Sequence, residues 1–176
     1  MSPATRAPSL PLAVIAHTAT SAVGAGRQAL LSALIEQRSG LRANDFGNAP
    51  LPCWIGRVEG LEQAALPPRL AQWESRNSRL AWLALQQDGL PEAITAATAR
   101  HGAERVAVVM GTSTSSIGET ELAYTQLEDG HFPPALDRGC IHTPHSLGAF
   151  VQAATGLEGP CVTVATACSS SAKVFA

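Results

Sequence analysis

One segment passes directly from a predicted strand to a predicted helix, and it reads Gly159-Pro160-Cys161-Val162-Thr163-Val164-Ala165-Thr166-Ala167-Cys168-Ser169-Ser170-Ser171-Ala172-Lys173. Residues 161–165 are apolar and β-prone, and the small residues after them favour a sharp turn into a helix. Cys168 is therefore expected at the start of that helix, beside backbone N–H groups that lack partners in the first turn. We expect its thiol to face a cavity.

This position suits a nucleophilic cysteine. The positive end of a helix stabilises a thiolate, which is the nucleophilic form of cysteine. The same N–H groups can bind the oxyanion that forms when a thioester carbonyl is attacked. A buried structural cysteine beside a serine-rich helix cap has the same local sequence. From the residues alone, both interpretations stay open.

Short apolar runs alternate with longer helical patterns along the rest of the chain, which is typical of β-α-β units around a mostly parallel sheet. The run Val106-Ala107-Val108-Val109-Met110 is continuously apolar, so it predicts a central strand that is buried on both faces. The predicted strands are residues 12–16, 53–58, 105–110 and 161–165.

Apolar residues at helical spacing predict helices over residues 28–37, 70–87 and 147–154, and Pro91 suits the first turn of another. Glycine, proline and small polar residues collect between these elements. They predict loops over residues 18–26, 40–52, 111–118 and 130–144.

Composition narrows the classes of function. The 176 residues carry a formal net charge of −2 and no basic cluster, which argues against nucleic acid as a partner. Four scattered cysteines do not make a disulfide framework, so a cytoplasmic setting is expected. Residues 10–16 are apolar and suit either a secretory signal or a buried first strand, of which the strand is preferred. No apolar run is long enough to span a membrane.

The motif Thr166-Ala167-Cys168-Ser169-Ser170-Ser171 resembles the active-site cysteine motif of the β-ketoacyl-acyl-carrier-protein synthases, the condensing enzymes of the thiolase-like superfamily. Three further segments resemble that family in the same order along the chain. They are Ser21-Ala22-Val23-Gly24, Arg38-Ser39-Gly40 and Val108-Val109-Met110-Gly111-Thr112-Ser113. The resemblance implies an α/β, thiolase-like fold with a mixed, mostly parallel sheet and helices on both faces.

By this resemblance, Cys168 takes an acyl group from the phosphopantetheine arm of an acyl carrier protein, and its N–H forms half of the oxyanion hole. Ile117 and Thr120 border the acyl pocket and the dimer interface. The family's two catalytic histidines and its lysine lie in a second, homologous half. Residues 1–176 are therefore expected to be an N-terminal half-domain, with the C-terminal half absent from this chain and the isolated chain inactive.

The implied reaction is acyl transfer to Cys168 and then decarboxylative Claisen condensation with malonyl-carrier protein, in fatty-acid, polyketide or polyene synthesis. No cofactor is implied, and the expected assembly is a homodimer or a heterodimer with another condensing-enzyme chain. The segment Ala16-His17-Thr18-Ala19-Thr20 departs from the family's glycine-rich pattern and points to a specialised branch. The alternatives are a non-catalytic partner subunit, an inactive fragment, or a cysteine hydrolase with a Cys-His pair.

Three other patterns have simpler explanations. Cys140, His142 and His145 are potential metal ligands, but a zinc site needs a fourth ligand or an open position, so a solvated loop without metal is preferred. Residues 111–118 follow a strand as a phosphate loop does, yet they lack its lysine and its glycine spacing. Glu119 and Glu121 are expected to complement the dipole of their own helix.

Overall fold

The computed structural model describes residues 12–47, 51–132 and 140–176. Six short strands and six α-helices follow one another in these ranges. The strands are β1 (Thr20–Ser21), β2 (Gly24–Ala25), β3 (Leu41–Ala43), β4 (Trp54–Gly56), β5 (Val108–Gly111) and β6 (Cys161–Val164). The helices are α1 (Arg27–Ile35), α2 (Arg76–Leu85), α3 (Leu90–His101), α4 (Ile117–Tyr124), α5 (Ser146–Thr155) and α6 (Ser170–Lys173).

The strands form three two-stranded ladders. β5 and β6 pair in parallel, from Val108 opposite Cys161 to Gly111 opposite Val164. β1 with β2 and β3 with β4 are antiparallel hairpins. The parallel pair is the arrangement predicted for the strand that precedes Cys168, and the strand predicted over residues 161–165 is confirmed.

Helix α5 packs on the parallel pair and forms the centre of the core. Phe150 is fully buried there, in one cluster with Leu70, Val108, Leu147 and Leu157. Gly148 allows the close approach, because a Cβ at that position would clash with Oγ1 of Thr163 on β6. The helix predicted over residues 147–154 is thus confirmed.

The strand predicted over residues 12–16 is wrong for the described chain. These residues form no ladder, and Leu12 and Ile15 are each 86% exposed. An apolar run becomes a strand only where a neighbouring strand offers hydrogen-bond partners, and no described strand lies beside this one. Residues 10 and 11 of the same run lie outside the described residues.

The helix predicted over residues 70–87 is divided in two. A 3₁₀ segment, Pro68–Trp73, precedes α2, and Oγ of Ser75 accepts a hydrogen bond of 3.1 Å from the N–H of Ser78. A serine in this capping position starts a new helix, which explains the break. Pro91 does lie in the first turn of its helix, as predicted.

Three other predictions need correction. The loop predicted over residues 18–26 contains the β1–β2 hairpin. The loop predicted over residues 40–52 contains β3, which pairs with the strand predicted over residues 53–58. The predicted central strand begins at Val108 and pairs, among the described residues, with β6 alone, so Val109 is half-exposed. Most of the loop predicted over residues 130–144 lies outside the described residues.

Within the described ranges, no helix is both long and apolar enough to cross a membrane.

Candidate active site

Cys168 lies in a sharp turn between β6 and α6. The turn is a 3₁₀ segment, Ala167–Ser169, and Ala167 has a φ angle of +51°. A positive φ in a residue with a Cβ costs about 1–3 kcal/mol and persists only where surrounding contacts enforce it. The predicted strand-to-helix junction is therefore present, and its backbone is held in a strained conformation next to the cysteine.

The hydroxyl of Ser170 supplies the contacts that hold this turn. Ser170 is buried, and its Oγ accepts a hydrogen bond of 2.8 Å from the N–H of Thr166. Its single proton has two carbonyl oxygens within reach, Ala167 at 2.7 Å and Thr112 at 2.9 Å. One buried side chain thus ties both sides of the turn to the end of β5.

Gly111, the last residue of β5, allows the turn to lie against that strand. A Cβ at this position would meet backbone atoms of Ser170 and Ser171 at 2.9 Å. That distance is shorter than carbon atoms tolerate, so any side chain would push α6 away from β5. The glycine therefore contributes to the position of Cys168 without contacting its thiol.

Cys168 is an exposed residue, whereas the sequence predicted that its thiol faces a cavity. The turn itself contacts the loop after β5, because Ser113 and Ser170 both donate to the carbonyl of Ala167. Among the described residues, none accepts a hydrogen bond from the Cys168 N–H. An exposed thiol and a free N–H on the same residue are the two groups that attack on a carbonyl requires.

The loop after β5 connects this turn with the start of α4. Oγ of Ser113 donates a hydrogen bond of 3.3 Å to the carbonyl of Ala167. Two residues further on, Oγ of Ser115 lies 2.6 Å from Oγ of Ser146 at the start of α5. These two hydrogen bonds tie the loop to the Cys168 turn and to the start of α5.

Ile117 and Thr120, the predicted acyl-pocket residues, lie one turn apart on α4 and so share a face of that helix. Ile117 is 48% exposed. Oγ1 of Thr120 lies 2.9 Å from Nδ1 of His142, and the buried Nε2 of His142 has no partner among the described residues. The structure thus joins one of the candidate metal ligands to a predicted acyl-pocket residue.

The other titratable residues considered in the sequence analysis do not form one common site among the described residues. Sγ of Cys140 donates to the carbonyl of Gln72, and no three His, Cys, Asp or Glu side chains within the described ranges come together as metal ligands would. Burial raises the pKa of the Cys161 thiol.

Glu119 lies in the first turn of α4 as expected, but its carboxylate also accepts a hydrogen bond of 3.2 Å from the N–H of Arg76. It therefore caps the start of α2 as well.

Sequence reasoning missed the serine network beneath the loop. Oγ of Ser116 donates to Oγ of Ser75, which in turn contacts Ser78. The four buried serines Ser75, Ser78, Ser116 and Ser146 lie at the starts of three helices, and Ser170 is buried in the turn. No sequence signal pointed to this network, since Ser75 and Ser78 fall inside the helix predicted over residues 70–87 and Ser116 falls in the loop predicted over residues 111–118.

Comparison with known proteins matched the chain to a family model and to solved structures. The family model described as "Beta-ketoacyl synthase, N-terminal domain" matches residues 75–176. Among solved structures, the chain is similar to a chain of "Ketosynthase (ApeO) in Complex with its Chain Length Factor (ApeC) from Xenorhabdus doucetiae", with 30% sequence identity and a TM-score of 0.70. That similarity covers 88% of this chain and 39% of the other, so this chain spans about two fifths of its length. No curated protein matched the chain.

Proposed function

Because this chain belongs to the β-ketoacyl synthase family and has its thiolase-like α/β fold, we propose that Cys168 is the nucleophile of a condensing enzyme. One observation carries the proposal. Cys168 sits at a strained turn before a helix, with its thiol exposed and its N–H without a described acceptor. A merely structural cysteine does not need such a turn, and burial is its usual state.

In the acyl-transfer step, the thiol of Cys168 is the nucleophile and its N–H forms half of the oxyanion hole. The Cys168 thiolate attacks the thioester carbonyl of an acyl group on the phosphopantetheine arm of an acyl carrier protein. The Cys168 N–H donates to the oxyanion of the tetrahedral intermediate. The intermediate collapses, the C–S bond to the carrier breaks, and the phosphopantetheine thiolate leaves while the acyl group stays on Cys168.

Condensation requires a second substrate. Malonyl-carrier protein loses CO₂, and the resulting enolate adds to the Cys168 thioester carbonyl to form the new C–C bond and a tetrahedral intermediate. That intermediate collapses with cleavage of its C–S bond, which releases the Cys168 thiolate and leaves the β-ketoacyl group on the carrier. The family resemblance assigns enolate stabilisation to two histidines outside residues 1–176. Residues 1–176 contribute the nucleophile and half of the oxyanion hole, and Ile117 and Thr120 border the bound acyl group.

The partner proposal concerns β6. Within the described part of the chain, β6 pairs with β5 on one side, and its other edge has no strand beside it. Val162 on this strand is 49% exposed, and an unpaired apolar edge strand favours association. The similar ketosynthase is described in complex with a chain length factor. We propose that β6 lies in a dimer interface, either with an identical chain or with a related condensing-enzyme chain.

Acyl transfer from a radiolabelled acyl-carrier protein tests the assignment in the assembled ketosynthase. Cys168→Ala should abolish covalent labelling, whereas the matched variant Cys161→Ala should keep it. Labelling that survives Cys168→Ala would remove Cys168 from the reaction. Absence of labelling in the unsubstituted enzyme would favour the non-catalytic partner subunit, and release of free acid in place of covalent label would favour the hydrolase.

A further inference from the structure

Three hydrogen-bond donors converge on the carbonyl oxygen of Ala167, the residue before Cys168. The backbone N–H of Ser170 donates to this oxygen, and Oγ of Ser170 lies 2.7 Å from it. Oγ of Ser113, on the loop after β5, donates to the same oxygen at 3.3 Å. A carbonyl oxygen has two lone pairs, so one or two donors already satisfy it. The third donor therefore does more than satisfy a backbone group.

This carbonyl belongs to the peptide group that also contains the Cys168 N–H. A peptide group is planar and almost always trans, and the described part of the chain has no cis peptide bond. In a trans peptide the C=O and N–H bonds point in opposite directions. Donors that hold the Ala167 oxygen therefore also fix the direction of the Cys168 N–H, which has no acceptor among the described residues.

The direction of this peptide group also depends on the strained backbone of Ala167. Its φ angle of +51° lies in the left-handed region, which is unfavourable for a residue with a Cβ. In the ordinary right-handed conformation, the Ala167 carbonyl and the Cys168 N–H would point elsewhere. A strained conformation persists only where several contacts enforce it, and the donors on the Ala167 oxygen are such contacts.

Ser113 is the donor dedicated to this carbonyl. The single hydroxyl proton of Ser170 is shared between the oxygens of Ala167 at 2.7 Å and Thr112 at 2.9 Å. Oγ of Ser170 also accepts a hydrogen bond from the Thr166 N–H. Oγ of Ser113, in contrast, has no second hydrogen-bond partner among the described residues. Removing the Ser113 hydroxyl therefore changes the carbonyl contact alone, whereas removing that of Ser170 disturbs the whole turn.

The Ser113 contact becomes stronger during the proposed reaction. At 3.3 Å it is longer than the usual hydroxyl–oxygen hydrogen bond of about 2.7–2.8 Å. When the Cys168 N–H donates to an oxyanion, electron density in the peptide group shifts toward the Ala167 oxygen, and a donor to that oxygen binds more strongly. An interaction that strengthens in the transition state raises the rate of the chemical step and leaves substrate binding nearly unchanged.

We propose that Ser113 is a positioning residue for the oxyanion hole: through the Ala167 carbonyl, its hydroxyl orients and polarises the Cys168 N–H. This inference rests on the proposed function of Cys168, and it adds a residue whose effect is confined to steps that form an oxyanion. Attack of the thiolate on a thioester carbonyl forms one. Alkylation by iodoacetamide does not, because the thiolate displaces iodide from a saturated carbon as the new S–C bond forms.

Two reactions of Cys168 in the assembled ketosynthase test this role. Acylation by hexanoyl-N-acetylcysteamine is followed by intact-protein mass spectrometry over a range of thioester concentrations, which separates the maximal rate from the half-saturating concentration. Alkylation by limiting iodoacetamide is followed in parallel from about pH 6 to pH 10. Ser113→Ala should lower the maximal acylation rate about two- to tenfold, as expected for one neutral hydrogen bond. The half-saturating concentration, the alkylation rate and its pH dependence should stay unchanged.

Two further variants serve as controls. Ser113→Thr keeps a hydroxyl at the same position and should restore most of the acylation rate. Thr114→Ala removes the hydroxyl of the next residue, which is exposed and has no hydrogen-bond partner among the described residues. This variant should be acylated as fast as the unsubstituted enzyme.

The outcomes separate this inference from the proposed function. If Ser113→Ala is acylated at the unsubstituted rate, or if acylation and alkylation slow equally, Ser113 does not act through the Cys168 N–H and the inference is wrong. An equal loss of acylation in Thr114→Ala would also overturn it. If Cys168 of the unsubstituted enzyme is not acylated, the proposed function itself fails.

Discussion

Replacing Gly111 by alanine should displace the turn that carries Cys168. The new Cβ would lie 2.9 Å from the Ser170 carbonyl carbon and from the N and Cα of Ser171. Carbon atoms pack best at about 3.5–4.0 Å, so α6 must move by about 0.6–1.1 Å. Because all three contacted atoms are backbone, no side-chain rotation relieves the clash. Overpacking of this kind costs about 1–3 kcal/mol.

Urea unfolding followed by tryptophan fluorescence measures this cost. Gly118→Ala is the matched control, because a Cβ there meets nothing within 4 Å and Gly118 is helical. The control should raise the free energy of unfolding by up to about 1 kcal/mol. Alkylation of Cys168 should slow in Gly111→Ala only, since the helix start moves away from the thiol. A Gly111→Ala protein as stable and as reactive as the control would refute the role given to this contact.

Three further predictions follow from individual groups. Limiting iodoacetamide should alkylate the exposed Cys168 before Cys161, because burial raises the pKa of the Cys161 thiol. Peptide mass spectrometry measures the order of labelling, and faster labelling of Cys161 would contradict the prediction. Arg69→Ala should lower the free energy of unfolding by about 1 kcal/mol, because the guanidinium donates at 3.1 and 3.0 Å to two carbonyls near the end of α5. An unchanged urea midpoint would contradict that contact. The pKa of Asp88 is lowered, chiefly by the hydroxyl of Thr18, so its stabilising effect is present above about pH 4 and is lost as the pH falls through the lowered pKa. Asp88→Asn should therefore destabilise the protein at pH 7 more than at pH 3, and equal effects at both values would show that the carboxylate contributes nothing.

The sequence predicted the elements whose signals are local. The strand before Cys168 follows Gly159-Pro160, and α5 ends at Gly156, which has a φ angle of +71°. Apolar periodicity and a glycine that can adopt a left-handed conformation are properties of a few consecutive residues. Such elements are readable without knowledge of what packs against them.

The remaining features depend on residues distant in sequence. Residues 12–16 are as apolar as β6, yet only β6 has a neighbour that completes its hydrogen bonds. Ser75 looks like an ordinary helical residue until its hydroxyl is seen to cap α2. Phe46 lines one cavity together with two helices that begin 30 and 71 residues later, at Arg76 and Ile117. Contacts between residues this far apart in sequence arise from tertiary packing, which the periodicity of apolar residues does not predict.

The parallel pairing of β5 with β6 has a consequence for the order in which the protein folds. Val108 and Cys161 are partners although they are about 53 residues apart, whereas Leu41 and Gly56 in the β3–β4 hairpin are about 15 apart. Closing the longer loop costs about 1 kcal/mol more conformational entropy, from the logarithmic dependence on loop length. During synthesis, the hairpin can form while β6 is still inside the ribosome. The turn that holds Cys168 therefore forms late. The nascent chain has no correctly positioned nucleophile until nearly all of these residues have been made.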